Sequence, residues 1–392
     1  MKKPLTLLLG IFTLFAVIGC SEKNENQPTP SGGDGNKEEE VVSYKYGEDE
    51  MYEKIWESKV IHNESVVFTE GEDGRFSGRL IYTPKRIICV RDNTLKKIYP
   101  ESEYYIEGDR IYMSDTGTMP RLTKKNLSCE EVPVLIGGTY DGRNGDKILF
   151  TEGAGILMYQ TMVTYEHEES WFGTVPEKKG LRLPKLYEKL QSGEDLYMVT
   201  NGDSIFCGCN TSGLKGIEPF QDPFPTGFAS EITRKFGNEV VHYNTSVGGM
   251  LSDWGRANVQ ANVNTYVPDL VVIGFGMNDG SWKVHPEDYV ENIEFMVQSI
   301  QHNCPNASII VCAPILASEV SPQANGLQAN YLEPLLELEN SYSDLVVMDM
   351  TTFSGDLFTK KQSLDLFANN INHPSDWLAR QYVSNLMNVI DK

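Results

Sequence analysis

Three separated pieces of this chain carry side chains that acyl transfer needs. Gly202-Asp203-Ser204 stands where an apolar, strand-like run gives way to a loop. Gly276-Met277-Asn278-Asp279 follows a second such run, and His373 comes late, just ahead of a helical pattern. A serine hydroxyl can act as nucleophile, asparagine and backbone N–H groups can receive an oxyanion, and an imidazole can take and return the proton. Each residue alone is bland. Ser204 would pass for a turn or N-cap serine and Asn278 for a turn residue; only their company and order make them catalytic candidates. Asp203 reads as a turn-former through backbone hydrogen bonds, and Asp279 as structural.

The elements that must position these residues follow from periodicity. From about Leu186 onward, strand and helix patterns alternate. Leu196–Val199, Val240–Tyr243, Leu270–Ile273, Ser308–Cys312 and Leu345–Met348 read as strands, and Leu270–Ile273, behind Pro268-Asp269, is a continuous apolar run as a buried parallel strand should be. Gly227–Phe236, Pro286–Gln301, Leu327–Leu338 and Trp377–Ile390 read as helices, the second opened by a proline at its first turn. This predicts a flavodoxin-like, doubly wound α/β domain over residues 191–392, with its site past the strand C-termini. Residues 45–165 read differently. Val66–Phe68, Arg79–Tyr82, Arg86–Val90, Tyr104–Ile106 and Arg110–Met113 are β-branched and aromatic runs separated by Gly, Asp, Asn and Pro. A smaller all-β sandwich is expected there, joined to the α/β domain by a linker over 166–190.

In this arrangement the chain resembles the SGNH/GDSL hydrolases. Gly202-Asp203-Ser204 is followed by Ile205. Asn244 precedes the pair Gly248-Gly249, Gly276-Met277-Asn278-Asp279 fits the pattern Gly-x-Asn-Asp, and His373 closes the series. The resemblance implies that Ser204 attacks an ester carbonyl and that His373 is its base. It also implies that the N–H groups of Ser204 and Gly249 and the Asn278 amide form the oxyanion hole, with Gly248 the alternative glycine. One such donor is typically worth about 3 kcal/mol of barrier. The fourth block departs from the family. An Asp normally stands three residues before the histidine, and here that position is Asn370. Three explanations remain open: a Ser–His dyad oriented by Asn370 or a backbone carbonyl, another acid such as Asp349 or Asp376, or a catalytically dead site. Two-domain carbohydrate esterases of this family resemble the first case. The resemblance implies a serine esterase for short acyl, above all acetyl, esters of polysaccharides or oligosaccharides. The alternatives are a lipase or thioesterase, and a surface glycan-binding protein with a dead esterase fold. No metal or organic cofactor is expected.

The N-terminus reads as an address. Lys2 and Lys3 precede an apolar stretch ending Val17-Ile18-Gly19-Cys20, similar to a bacterial lipobox in which Cys20 becomes lipidated. An ordinary signal peptide is the alternative. Residues 1–20 are then the signal and 21–44 a tether of low hydrophobicity. The expected location is extracytoplasmic, anchored to the bacterial outer membrane on its periplasmic side or at the cell surface. A net charge of −21 argues against nucleic acid or an anionic membrane surface as partner. The expected partner is an acylated glycan or a small ester. Cys89, Cys129, Cys207, Cys209, Cys304 and Cys312 follow Cys20 and are expected mostly as buried free thiols. Cys207-Gly208-Cys209 lacks a second ligand pair for zinc. His62, His167, His242, His285 and His302 read as structural or scattered. Trp282 and Trp377 could pack in the core or present a platform for a sugar ring.

Overall fold

In the computed structural model, which describes residues 48–392, the second half of the chain forms a five-stranded sheet. Its strands are β1 (Leu196–Gly202), β2 (Val240–Asn244), β3 (Leu270–Gly274), β4 (Ser308–Ala313) and β5 (Leu345–Asp349). They lie in the order β2-β1-β3-β4-β5, all parallel, which is the doubly wound order predicted from the alternation. Both faces are covered, so β3 and β4 are buried along their whole length, and this is why they read as unbroken apolar runs. Successive side chains go to opposite faces. Val271, Ile273, Ile309 and Val311 meet Ile293, Met296 and Ile300 of the helix Pro286–Asn303. Leu270, Val272 and Ile310 meet Phe228 and Ile232 of the helix Phe224–Phe236 and Leu378, Tyr382 and Leu386 of the helix Asp376–Val389.

The first half is sheet-rich, as expected. One antiparallel sheet runs in the order Val60–Val66, Thr161–Glu166, Arg86–Arg91, Ile98–Tyr99. A second, mixed sheet runs Tyr104–Glu107, Arg110–Met113, Phe76–Arg79, Phe68–Glu70, Arg121–Leu122, antiparallel except for its last pair, which is parallel. A separate hairpin pairs Gly138–Asp141 with Lys147–Phe150. The two halves share a single buried cluster in which Val66, Ile111 and Tyr165 lie with Phe353, Phe367 and Trp377. Polar contacts add to it. The buried Lys361 ammonium meets Glu64 at 2.7 Å and the Arg79 carbonyl at 2.6 Å. The Val67 N–H donates to Asp365 Oδ1 at 2.7 Å. Removing one member of a buried ion pair typically costs about 3–5 kcal/mol, so such a contact fixes how the halves meet.

Several details differ from the sequence reading. The run Val66–Phe68 is broken at Val67, whose N–H leaves the sheet for Asp365. The strand expected over Arg79–Tyr82 ends at Arg79, while Leu80–Tyr82 stay buried without strand pairing. The helix expected from Leu327 begins at Leu332, after a short 3-10 turn at Gln328–Asn330. Helices Ser252–Asn262 and Met350–Phe358 were not anticipated. The signal segment, Cys20 and the tether lie outside the described residues. Among the described residues no helix is long and apolar enough to cross a membrane.

Candidate active site

Ser204 follows β1 at a turn set by Asp203. The Asp203 N–H donates to the Gly274 carbonyl at 3.1 Å, and its carboxylate accepts the Ile205 N–H at 2.9 Å. Burial pushes the Asp203 carboxyl up to about 7, with the Ile205 N–H pulling against it. This is the turn-forming role expected of Asp203. The second block is tied to β1 by the Val247 N–H donating to the Gly202 carbonyl at 3.0 Å. Asn244 folds it: its Nδ2 donates to the Phe206 carbonyl at 2.8 Å and its Oδ1 accepts the Ser246 N–H at 3.1 Å. A Cβ at Gly248 would stand 3.7 Å from the Ser204 Cβ, so this glycine pair passes directly beside the nucleophile. Gly249 adopts φ +78°, a conformation that side chains with a Cβ avoid.

The third block begins at Gly276, whose φ of +123° and close approach to Pro314 leave no room for a Cβ. Asn278 lies in the first turn of the following short helix, Met277–Ser281, and its Nδ2 donates to the Met250 carbonyl at 3.0 Å. That bond joins the third block to the second and leaves the amide a second N–H to offer. Asp279 is buried and accepts the N–H and hydroxyl of Ser252 at 3.0 and 2.5 Å, a structural part as expected. Ser204, Gly249 and Asn278 thus come from the ends of three adjacent strands.

The base is in place. His373 Nε2 lies 3.0 Å from Ser204 Oγ. Burial first, and the charge of Lys215 second, lower its pKa to about 4, so the ring is neutral and able to accept a proton at neutral pH. The group behind it is one that sequence reasoning missed. His373 Nδ1 lies 2.6 Å from Oδ1 of the buried Asn210. Asn210 Nδ2 donates to the Gly153 carbonyl at 2.9 Å. Since Gly153 can only accept, the amide must turn its oxygen toward the ring. Nδ1 then carries the proton and Nε2 is free to receive that of Ser204. An amide in this place in a serine protease costs about 10⁴ in kcat by favouring the wrong tautomer. The Gly153 carbonyl removes that failure by fixing which end of the amide faces the ring.

The expectation for Asn370 is corrected. It adopts φ +65°, and its side chain is engaged by groups other than the ring. Its Oδ1 accepts the Ser363 hydroxyl at 2.6 Å and its Nδ2 donates to the Leu149 carbonyl at 2.9 Å. The alternative acids are engaged elsewhere. Asp349 caps a helix through the Thr352 N–H at 2.8 Å, and Asp376 accepts the Ser212 N–H at 3.0 Å. The acid that does approach is Glu152, with Oε2 at 3.6 Å from His373 Nδ1. Neither Asn210 nor Glu152 stands in a recognisable motif. Asn210 lies in a stretch rich in Gly, Asn and Ser that reads as loop, and Glu152 lies far from every other site residue in sequence.

The remaining candidates fall into place. Trp377 is fully buried, which rules it out as a sugar platform, whereas Trp282 is exposed. His242 bonds Thr200 Oγ1 at 2.9 Å, and His167 stacks on Tyr82. All six cysteines in the described residues are free, but only Cys304 and Cys312 are buried, fewer than expected. Among the described residues no group of three or more His, Cys, Asp or Glu side chains could hold a metal ion.

Residues 201–380 match the family model of the GDSL-like lipase/acylhydrolases. No curated protein matches the chain. Among solved structures, a two-domain esterase active on acetylated mannans is 18% identical, with 55% of this chain and 54% of that one covered at a TM-score of 0.43. This chain therefore spans about half the length of that relative. An acetylxylan esterase from Geobacillus stearothermophilus is 17% identical, covering 51% of this chain and 98% of its own, at a TM-score of 0.40. A lipase/acylhydrolase from Enterococcus faecalis is 20% identical, covering 49% and 93%, at a TM-score of 0.38.

Proposed function

We propose that the protein is a serine esterase that removes short acyl groups, acetyl above all, from hydroxyl-rich substrates such as oligosaccharides or polysaccharides. The observation that carries the reading is the relay from Ser204 Oγ through His373 to Asn210, at 3.0 and 2.6 Å. Ser204 attacks the ester carbonyl as His373 takes its proton. The Ser204 and Gly249 N–H groups and the Asn278 amide receive the oxyanion. The imidazolium then returns the proton to the leaving alcohol, and water repeats the sequence on the acyl-enzyme. An assembled Ser–His pair also argues against a dead, glycan-binding role. The polar surroundings of the pair, with Glu152, Lys215, Asn369 and Asn372 nearby, suit a hydroxylated substrate. The sequence resemblance to two-domain carbohydrate esterases points the same way. A longer acyl chain is the second reading, favoured by the exposed Leu214 and Phe220 on the loop after Ser204. Comparing kcat/KM for 4-nitrophenyl acetate and octanoate, with acetate release from acetylated xylan and mannan, separates the two. A preference for acetyl supports the first reading, and a rise with chain length overturns it.

The location is part of the same proposal: a lipid-anchored protein facing an extracytoplasmic supply of glycan. Cys20→Ala should move the protein from the membrane to the soluble fraction on cell fractionation. Unchanged membrane association would refute Cys20 as the anchor.

A further inference from the structure

We propose that Glu152, carried by the sheet-rich half, is the electrostatic partner of His373 and supplies the negative charge that the fourth sequence block lacks. The inference rests on the esterase reading of Ser204 and His373. Asn210 settles the orientation of the imidazole but not its charge. A neutral amide accepts the Nδ1 proton without offsetting the imidazolium that forms as Ser204 attacks. The Glu152 carboxylate, 3.6 Å from the same nitrogen, can offset it.

The backbone around Glu152 is built to hold it there. Three residues before it, the Leu149 carbonyl accepts from Asn370 Nδ2 at 2.9 Å. One residue after it, the Gly153 carbonyl accepts from Asn210 Nδ2 at 2.9 Å. Glu152 is thus bracketed by two side-chain amides of the α/β half, one from the loop after Ser204 and one from the loop that carries His373. Asn370, which replaces the usual acid in sequence, helps to fix the segment that brings another acid.

The charges that face His373 do not all agree. Lys215, on the loop after Ser204, lowers the pKa of the ring and also draws that of Glu152 downward against the effect of its burial. The Cys209 thiol on the same loop senses both Lys215 and Glu152. Asp376, on the helix after His373, is turned to the Ser212 N–H. Lys215 thus opposes, on this imidazole, the effect proposed for Glu152 at 3.6 Å. The Glu152 side chain is 60% exposed and that of His373 is 10% exposed. Water screens the pair, so the effect should be far smaller than that of a buried catalytic aspartate.

The test uses the full-length protein with 4-nitrophenyl acetate. The pH profile of kcat/KM is measured for the parent, Glu152→Gln, Glu152→Asp and Lys215→Gln. The His373 ring is followed separately by nitrogen NMR in the absence of substrate. An anion beside the ring favours its protonated form, so Glu152→Gln should lower the His373 pKa by roughly half a unit to one unit. The acid limb of the profile moves to lower pH accordingly. The plateau should fall about tenfold, because the imidazolium formed during acylation has lost its partner. Lys215→Gln should move the limb to higher pH, and Glu152→Asp should recover part of the loss. A Glu152→Gln protein with the parent's ring titration and limb would overturn the proposal, even if its plateau fell, since that would be loop damage alone. No ester hydrolysis by the parent would overturn the esterase reading instead. In that case the ring titration would still decide whether Glu152 acts on His373.

Discussion

The Ser204 turn and the His373 loop meet across one 3.0 Å hydrogen bond but are built in different ways. The Ser204 turn is made locally: Asp203 bonds the N–H two residues on, and the neighbouring strands β2 and β3 bring the glycine pair and Asn278 to it. A parallel sheet delivers such strand ends to one edge as a matter of topology. The His373 loop is irregular and held from several sides. Asn369 Oδ1 accepts the N–H groups of Ile371, Asn372 and His373, each at 3.0 Å. Asn210 comes from the far end of the Ser204 loop, and its lock, Gly153, comes from the sheet-rich half. The fold places the nucleophile, whereas contacts particular to this chain aim the base.

The comparison is tested most severely at the reacting pair. Ser204→Ala and His373→Ala should each lower kcat on a small ester by roughly 10⁴- to 10⁶-fold, with melting temperatures near the parent's. Retained turnover in a folded Ser204→Ala protein would end the serine mechanism. Asn210 comes next. Asn210→Ala removes the acceptor that fixes the tautomer and should cost on the order of 10²- to 10³-fold in kcat, less than loss of the ring itself. Asn210→Asp separates the two faces of this residue. A carboxylate would serve His373 but would set an oxygen against the Gly153 carbonyl where an N–H stood. That variant should melt at a lower temperature, by about 1–3 kcal/mol of stability, and keep far more activity than the alanine. If Asn210→Asp were as inactive as Asn210→Ala, the amide would have a role beyond accepting the Nδ1 proton.

What could be read from the sequence divides along the same line. The five strands were legible because a buried parallel strand leaves a run such as Leu270–Ile273, and Ser204, Asn278 and His373 stood out because each sits just past such an element or beside a helix start. Asn210 and Glu152 left no trace of this kind. The importance of Asn210 arises from two contacts with residues far off in sequence, His373 at 163 residues and Gly153 at 57, the second of them set by how the halves pack. Asn370 misled for the complementary reason. Spacing from His373 predicts proximity along the chain, but the folded loop commits both ends of the Asn370 amide to Ser363 and Leu149.

The smallest catalytic effect is expected at Asn370, and it is the sharpest test of the corrected view. Asn370→Ala leaves the buried Leu149 carbonyl and the Ser363 hydroxyl without their partner and puts at φ +65° a residue that tolerates the left-handed region less well than asparagine. An unsatisfied buried group costs about 1–3 kcal/mol, and the left-handed conformation about 1 kcal/mol more. The variant should therefore unfold at clearly lower denaturant concentration. Its kcat should fall less than about tenfold, because neither Asn210 nor the Ser204–His373 bond is touched directly. Asn370→Gly relieves the backbone strain but not the lost hydrogen bonds, so its stability should lie between those of the parent and the alanine variant. Asn370→Asp restores the acid that the family uses at this position, yet here it would face the Leu149 carbonyl, and it should lower stability without raising kcat. A rise in kcat for Asn370→Asp would mean that the side chain can reach His373 after all. The loop would then have two working arrangements, and the division of labour between the fold and the sheet-rich half would fail at its central point.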